Sequence, residues 1–292
     1  MVHVIALAGV LSISFSAVFI RLAAVSPVTA AFFRAVYALP VLALLWRWGR
    51  ARDRRPARAR ALAAASGILL AADLASWHQS IALVGAGLGT VIANVQVVFV
   101  ALAGWAWRGD RPTGRAWALL AGVLAGVALT SGLARPDAYG ASPVAGVLFG
   151  VLAGACYAAF LLLFRAANEG RGPGAGPLLD STVGTALGSL LVMPLDPHVS
   201  FTPVWPAHGW LLALALVSQV LGWLCIGFAL ARLAPLEASV LLLLQPVFAI
   251  VWGRLLFDEQ LSWLQWVGTV LVLGGVTSMA SGRLTRRVAE RV

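Results

Sequence analysis

Arg34, Asp73, His78, Asp180 and Glu237 stand inside stretches that are otherwise apolar. A charged side chain at the centre of a bilayer costs about 2.5–3.5 kcal/mol on insertion scales, so each should face a partner or a cavity. Asp73 is the sharpest case. It lies midway through an apolar run, in ADLASWHQS, with Trp77 and Ser80 at i+4 and i+7 on one helical face. His78 falls about 100° round the helix and borders the same side. Asp73 is suited to bind a substrate amine or carry a proton, and Trp77 to stack on a ring or a cation. The plainer alternative pairs Asp73 with Arg34 as internal ballast. Arg34 either offers a planar fork to a carboxylate or snorkels to the headgroups. His78 is a structural histidine or a proton relay. Asp180 is expected near a cytoplasmic interface. Glu237 follows Pro235, where a carboxylate favours a helix N-terminus. Asp73, His78, Arg34 and Glu237 are the candidates for charge or proton coupling.

Neutral polar and aromatic residues extend the set. Thr90 and Asn94 share a helical face, with Gln96 nearly opposite. Gln245 precedes Pro246, which removes a helical hydrogen bond, so Gln245 either satisfies freed backbone or meets ligand. Gln219 and Trp223 are spaced i+4, Tyr157 and Phe160 i+3, and Ser12, Ser16 and Phe19 form one stripe. The substrate-binding candidates are Asp73, Trp77, His78, Ser16, Phe19, Asn94, Tyr157, Gln219, Trp223 and Gln245. Such a lining suits a neutral or zwitterionic metabolite, although an aromatic ring on a membrane helix equally faces lipid or core.

The elements that position these residues follow from composition. The chain has 292 residues, 61% hydrophobic and 11% charged, against about 25% charged in ordinary soluble domains. A membrane helix needs ~20 mostly apolar residues. Ten stretches qualify: 3–23, 27–46, 61–83, 87–107, 115–133, 144–164, 176–194, 209–231, 235–256 and 263–281. The N-terminal stretch lacks a basic region ahead of it and reads as a retained helix rather than a signal peptide. The expected fold is an all-α integral membrane protein. Cys156 and Cys225 both fall inside spans and indicate neither a disulfide framework nor a metal site.

The formal charge of +10 comes from arginine alone. The segment 47–60, the group Arg108, Arg111 and Arg115, and the tail from Arg283 all fall on one side if both termini are cytoplasmic. That is the positive-inside pattern, with basic loops lying against anionic lipid. It argues for an inner membrane and against nucleic acid as a partner.

The sequence also repeats itself. GLGTVIANVQVVFVALAGWAWRGDRPT, from Gly87, aligns without a gap on LEASVLLLLQPVFAIVWGRLLFDEQLS, from Leu236. Thr90 meets Ser239, Gln96 meets Gln245, Asp110 meets Glu259 and, further on, Gly126 meets Gly275. Two repeats follow, 1–134 and 143–283, with a basic cytoplasmic tail at 284–292. Five spans per repeat is an odd number, so the second repeat enters the membrane upside down. Inverted repeats recur in secondary transporters, with substrate bound near the midplane. Gly146/Gly150/Gly154, Gly122/Gly126 and Gly184/Gly188 are GxxxG-type steps that allow close helix packing.

NVQVVF and LQPVF, each preceded by a small-residue run and followed by an acid and a Gly-rich closing helix, resemble the ten-helix EamA-like branch of the drug/metabolite transporter superfamily. The second copy, LLLLQPVFAIVWGRLLFDEQLSWLQWVGTVLVLGGV, is the nearer match. In the first, Val97 stands where proline is usual and Asp110 where glutamate is usual. The resemblance spans essentially the whole chain. It implies a pseudo-twofold bundle around a central cavity, and export of amino acids or related metabolites.

These observations imply a carrier working by alternating access, with a small-molecule substrate and membrane lipids as partners and no cofactor. The glycine faces make a homodimer conceivable. A channel or lipid translocator, and a membrane-embedded enzyme, are the competing classes. The enzyme reading lacks a constellation: the histidines at 3, 78, 198 and 208 are dispersed, and no GxxxxGK[ST] motif is present.

Overall fold

In lipid every backbone polar group must be satisfied within its own segment, so an apolar chain of this kind folds as helices. The structure, a computed structural model, describes residues 1–50, 53–108, 113–130, 139–168, 174–230, 232–233 and 235–289. Its side chains are described except at 230, 235–240, 243 and 279–289. No strand occurs among the described residues.

The first apolar stretch is α1 (Val2–Ser14) and α2 (Ser16–Ala23), broken at Phe15. α3 (Pro27–Gly49) starts at Ser26, whose Oγ accepts from the Thr29 amide at 3.4 Å, with Pro27 in the first turn. There follow α4 (Ala57–Ala93), α5 (Gln96–Arg108), α6 (Gly114–Thr130), α7 (Pro143–Ala167), α8 (Ala175–Val192) and α9 (Ala207–Ala213). A π-helical stretch, Leu214–Gly222, joins α9 to α10 (Trp223–Leu230). α11 (Pro235–Phe257) and α12 (Trp263–Ala289) complete the described chain.

Among the described residues, six helical stretches are long and apolar enough to cross a membrane: Val2–Ala23, Pro27–Gly49, Ala57–Trp107, Pro143–Ala167, Ala175–Leu195 and Ala207–Ala229. Three shorter apolar helices are Gly114–Thr130, Leu244–Phe257 and Trp263–Ser278. Ala57–Trp107, at 51 residues, would reach about 75 Å if straight, more than twice the ~30 Å hydrocarbon core. It is not straight. Gly85 has φ +87°, a conformation that favours glycine. Beyond it the chain folds back, and a Cβ on Gly89 would stand 3.1 Å from the backbone nitrogen of Ile81. Residues eight apart in a continuous helix are about 12 Å apart along the axis, so α4 is a hairpin of two arms.

The halves interlock through backbone contact. A Cβ on Gly184 of α8 would stand 1.7 Å from the Ala64 carbonyl of α4, and one on Gly67 would stand 1.9 Å from the Ser181 carbonyl. Gly146, Gly150 and Gly154 of α7 lie against Val84, Ile92 and Val95. Small residues of this kind let helices approach where lipid offers no hydrophobic drive. α6 and α12 pack together at a second seam. Gly126 meets Gly268 and Val272, whereas Gly275 meets Leu119 and Val123. Position rises on one helix as it falls on the other, so the two cross antiparallel. At the offset of the sequence repeat these contacts exchange with one another, as in a self-complementary twofold interface.

Three sequence expectations are modified. The span at 209–231 is not one α-helix, since its middle is π-helical. The first span is interrupted at Phe15, where Ser14 Oγ turns back to the Leu11 carbonyl at 2.8 Å. Gly122, expected in a packing step, meets nothing among the described residues: a Cβ on it would have no neighbour there within 4 Å. Trp48, Trp107, Trp205 and Trp263 are exposed at helix ends, as interfacial anchors should be.

Gly184→Ala therefore lowers stability by about 1–3 kcal/mol through overpacking, while Gly122→Ala is neutral or stabilising by up to ~1 kcal/mol through helix propensity. Thermal unfolding of the purified variants in detergent distinguishes the two; equal melting temperatures would contradict the packing described.

Candidate functional site

Arg34 on α3 is buried, 4% exposed, and so is Asp73 on α4, at 7%. Each lies within the electrostatic field of the other. No salt bridge or hydrogen bond joins them directly among the described residues. Arg34 is held from elsewhere: its Nε donates to Gln219 Oε1 at 2.8 Å. Gln219 Nε2 in turn donates to Thr182 Oγ1 on α8 at 3.4 Å. Arg34 Nη1 is buried without a hydrogen-bond partner. The site thus presents a fixed cation with one free edge and, near it, a carboxylate that no donor among the described residues occupies.

The π-helical turn explains how Gln219 reaches Arg34. Such turns insert a residue into a helix, re-aim the side chains and concentrate at functional sites. Val220, Ser218 and Gln219 are buried on this segment, and Ser218 Oγ also donates to the Ser12 carbonyl of α1 at 2.8 Å. One irregular element from the second half therefore touches both α1 and α3 of the first.

Aromatic rings wall the same region. Trp77, Phe160 and Phe33 belong to one buried cluster, with Phe19, Tyr157, Trp210 and Trp223 packed against it. Tyr157 stacks on Phe160 at 5.6 Å between centroids, Phe160 meets Trp223 edge-on at 6.2 Å, and Phe19 stacks on Trp210 at 6.3 Å. Tyr157 lies in the field of both Asp73 and Arg34. Asp73, Arg34, Tyr157 and Gln219 are therefore brought together, with Trp77, Phe19 and Trp223 around them.

Other candidates fall elsewhere. His78 Nδ1 donates to the Pro27 carbonyl at 3.0 Å, which leaves the lone pair of the neutral ring on Nε2. That atom is buried without a partner. His78, Arg21, Pro27 and Ile81 line a cavity of ≈160 Å³ beside α2 and α4. Asn94 Nδ2 donates to the Thr90 carbonyl at 2.8 Å, and Thr90 Oγ1 to that of Ala86 at 2.8 Å. Both close hydrogen bonds within their own helix. Ser16 is fully buried, with its Oγ unpaired. Gln245 is half-buried on α11 and makes no side-chain hydrogen bond among the described residues. The side chain of Glu237 lies outside the described residues, as does Asp110.

Two ionic clusters were not legible from the sequence. At the start of α4, Asp53 accepts from Arg55 Nε at 2.8 Å and Nη2 at 2.9 Å, and from Trp46 Nε1 at 2.8 Å. Hydrogen bonding by Arg55 holds the Asp53 carboxyl well below the usual carboxylate range. Arg55 Nη2 also reaches Asp180 of α8 at 2.8 Å, and Arg60 Nη2 reaches it at 3.3 Å. Asp180 is thus buried and paired. At the other end of this arm, Glu259 accepts from the amides of Ala86 at 2.7 Å and Gly87 at 3.1 Å, and pairs with Arg21. A Cβ on Gly85 would stand 2.7 Å from the Glu259 carboxyl carbon, so glycine is needed for the approach as well as for φ. The repeat already aligns Glu259 with an acid, the one sequence signal for this residue.

The described chain is thus a bundle of apolar helices with a charged, aromatic-walled centre. The chain belongs to the EamA-like transporter family, whose sequence model matches residues 1–132 and 144–281. It is accordingly a multi-pass membrane transporter of the drug/metabolite type. A solved structure titled only "Crystal structure of protein" is similar in fold, with a TM-score of 0.61 and 18% identity over 98% of each chain. No curated protein matches the chain.

Gln219→Leu leaves Arg34 Nε buried without an acceptor and lowers stability by about 1.5–3 kcal/mol. Gln219→Glu retains the acceptor and recovers most of the loss. Melting temperatures of the two purified variants check this; equal losses would contradict the assigned hydrogen bond.

Proposed function

We propose that this transporter is a secondary carrier of small zwitterionic metabolites, amino acids or related aromatic compounds, working by alternating access from a central cavity. The carrying observation is the pair of buried, opposite charges near one another and not bonded to each other. A zwitterion supplies both missing partners: its carboxylate meets the free edge of Arg34, and its ammonium meets Asp73. Charge-assisted hydrogen bonds are about twice as strong as neutral ones, and a buried charge left unpaired is costly. The aromatic wall of Trp77, Tyr157, Phe160 and Trp223 favours an apolar or aromatic substrate side chain.

The same reading takes the chain as ten crossings in two inverted repeats, with both termini cytoplasmic in the inner membrane. The nine apolar helices among the described residues, with the longest folded back at Gly85, support this reading. The self-complementary antiparallel seam of α6 and α12 supports inversion. Arginine distribution supports the orientation. Export is the direction implied by the family resemblance.

Counterflow in proteoliposomes loaded with a panel of unlabelled amino acids tests the reading. Labelled zwitterionic amino acids should show saturable uptake, and Asp73→Asn should reduce it at least tenfold, from the loss of a charge-assisted bond of about 1.5–3 kcal/mol. The variant should insert and purify as the wild type does. Linear, unsaturable flux favours a pore instead, and wild-type counterflow in Asp73→Asn removes Asp73 from the site.

A further inference from the structure

We propose that the two ionic clusters are opposed gates, Arg21–Glu259 closing the outer end and Arg55–Asp180 the inner end, so that transport alternates by opening one while the other holds. The inference rests on the carrier reading above and assigns its moving contacts.

Each cluster joins the two halves. Arg21 on α2 and the hairpin amides of Ala86 and Gly87 belong to the first half, while Glu259 lies in the turn between α11 and α12. Arg55 precedes α4, and Asp180 lies on α8 of the second half. They stand at opposite ends of the first arm of α4, about 40 Å apart at ~1.5 Å per residue. The polar centre at Arg34 and Asp73 lies between them. Any rocking of one half against the other that widens one end must part that end's contact first.

The clusters are built to part and re-form. Both are ion pairs, whose partners remain soluble in an aqueous vestibule when separated. Glu259 keeps two backbone amides even without Arg21, so the hairpin at Gly85 stays capped while the cross-link to α2 releases. On the inner side Asp53 keeps Arg55 oriented through two hydrogen bonds and returns it to the same place after Asp180 leaves. Arg60 and its contact over the Trp46 ring, at 5.4 Å, hold the same corner. Much of the remaining contact between α4 and the second half, at Gly146, Gly150, Gly154 and Gly184, is close backbone packing without charged groups.

Native Cys156 reports the state. It lies in the field of Asp73 and is only partly buried. In a Cys225→Ala background, proteoliposomes of defined orientation are treated with a membrane-impermeant sulfonated thiol reagent from either side. Arg21→Gln, which spares the amide cap, should raise the rate of labelling from the outer side roughly fivefold and lower it from the inner side. Asp180→Asn should do the reverse. Rates that are unchanged, absent from both sides, or shifted in the same direction in both variants overturn the proposal. Wild-type counterflow in the same vesicles separates the two claims. Saturable counterflow with unshifted labelling rejects the gates alone, and absence of counterflow with opposed shifts rejects the carrier alone.

Discussion

Arg34 sits where lipid offers no hydrogen bonds, and its charge must be held from inside the protein. That need organises the rest of the centre. Gln219 supplies the acceptor at Nε, the π-helical turn brings Gln219 into position, and Thr182 orients Gln219 through its amide. All three supports belong to the second half, while Arg34 belongs to the first. A single buried cation thereby ties the halves together at the level of the membrane core. Asp73 lies near enough to feel that cation, yet is not bonded to it. An arrangement that fully satisfied both charges internally would be more stable and would leave nothing for a ligand to complete.

Packing elsewhere keeps that centre in place with little chemistry of its own. Gly67 against Ser181 and Gly184 against Ala64 bring α4 and α8 to backbone contact. The glycine row of α7 receives Val84, Ile92 and Val95 from both arms of α4 and the turn beyond it. In lipid these seams gain from dispersion and close fit rather than from water release. The charged bonds across the halves lie at the centre and at the two ends of the first arm of α4, while neutral bonds such as Ser80 Oγ to the Gly146 carbonyl and Trp252 Nε1 to Ser14 Oγ join them elsewhere.

The sequence made much of this legible where the signal is local. A charge in an apolar run is visible at Asp73 and Arg34 because the surrounding composition makes it costly. The reversal at Gly85 is visible because glycines interrupt a stretch too long for one crossing. Close packing at Gly146, Gly150, Gly154, Gly184 and Gly188 follows from their four-residue spacing. Contacts between distant segments are not legible in this way. Gln219 meets Arg34 across 185 positions and Glu259 meets Arg21 across 238, with no periodicity to connect them. The π-helical turn is likewise not legible from i+4 spacing, although Gln219 and Trp223 still meet at one centre. Asn94 illustrates the converse: its helical face suggested a cavity, but its amide is spent on the Thr90 carbonyl one turn back.

The claim on which the account turns is that one centre reads both charges of a zwitterion. Ligand-induced thermal stabilisation of the purified wild-type protein tests it most directly. Phenylalanine and other amino acids should be screened beside the matching amides, which lack the carboxylate, and the matching carboxylic acids, which lack the ammonium. The account predicts a rise in melting temperature with at least one intact amino acid and little or none with either of its truncated analogues. Equal stabilisation by an amino acid and its amide, or none by any zwitterion, would contradict it.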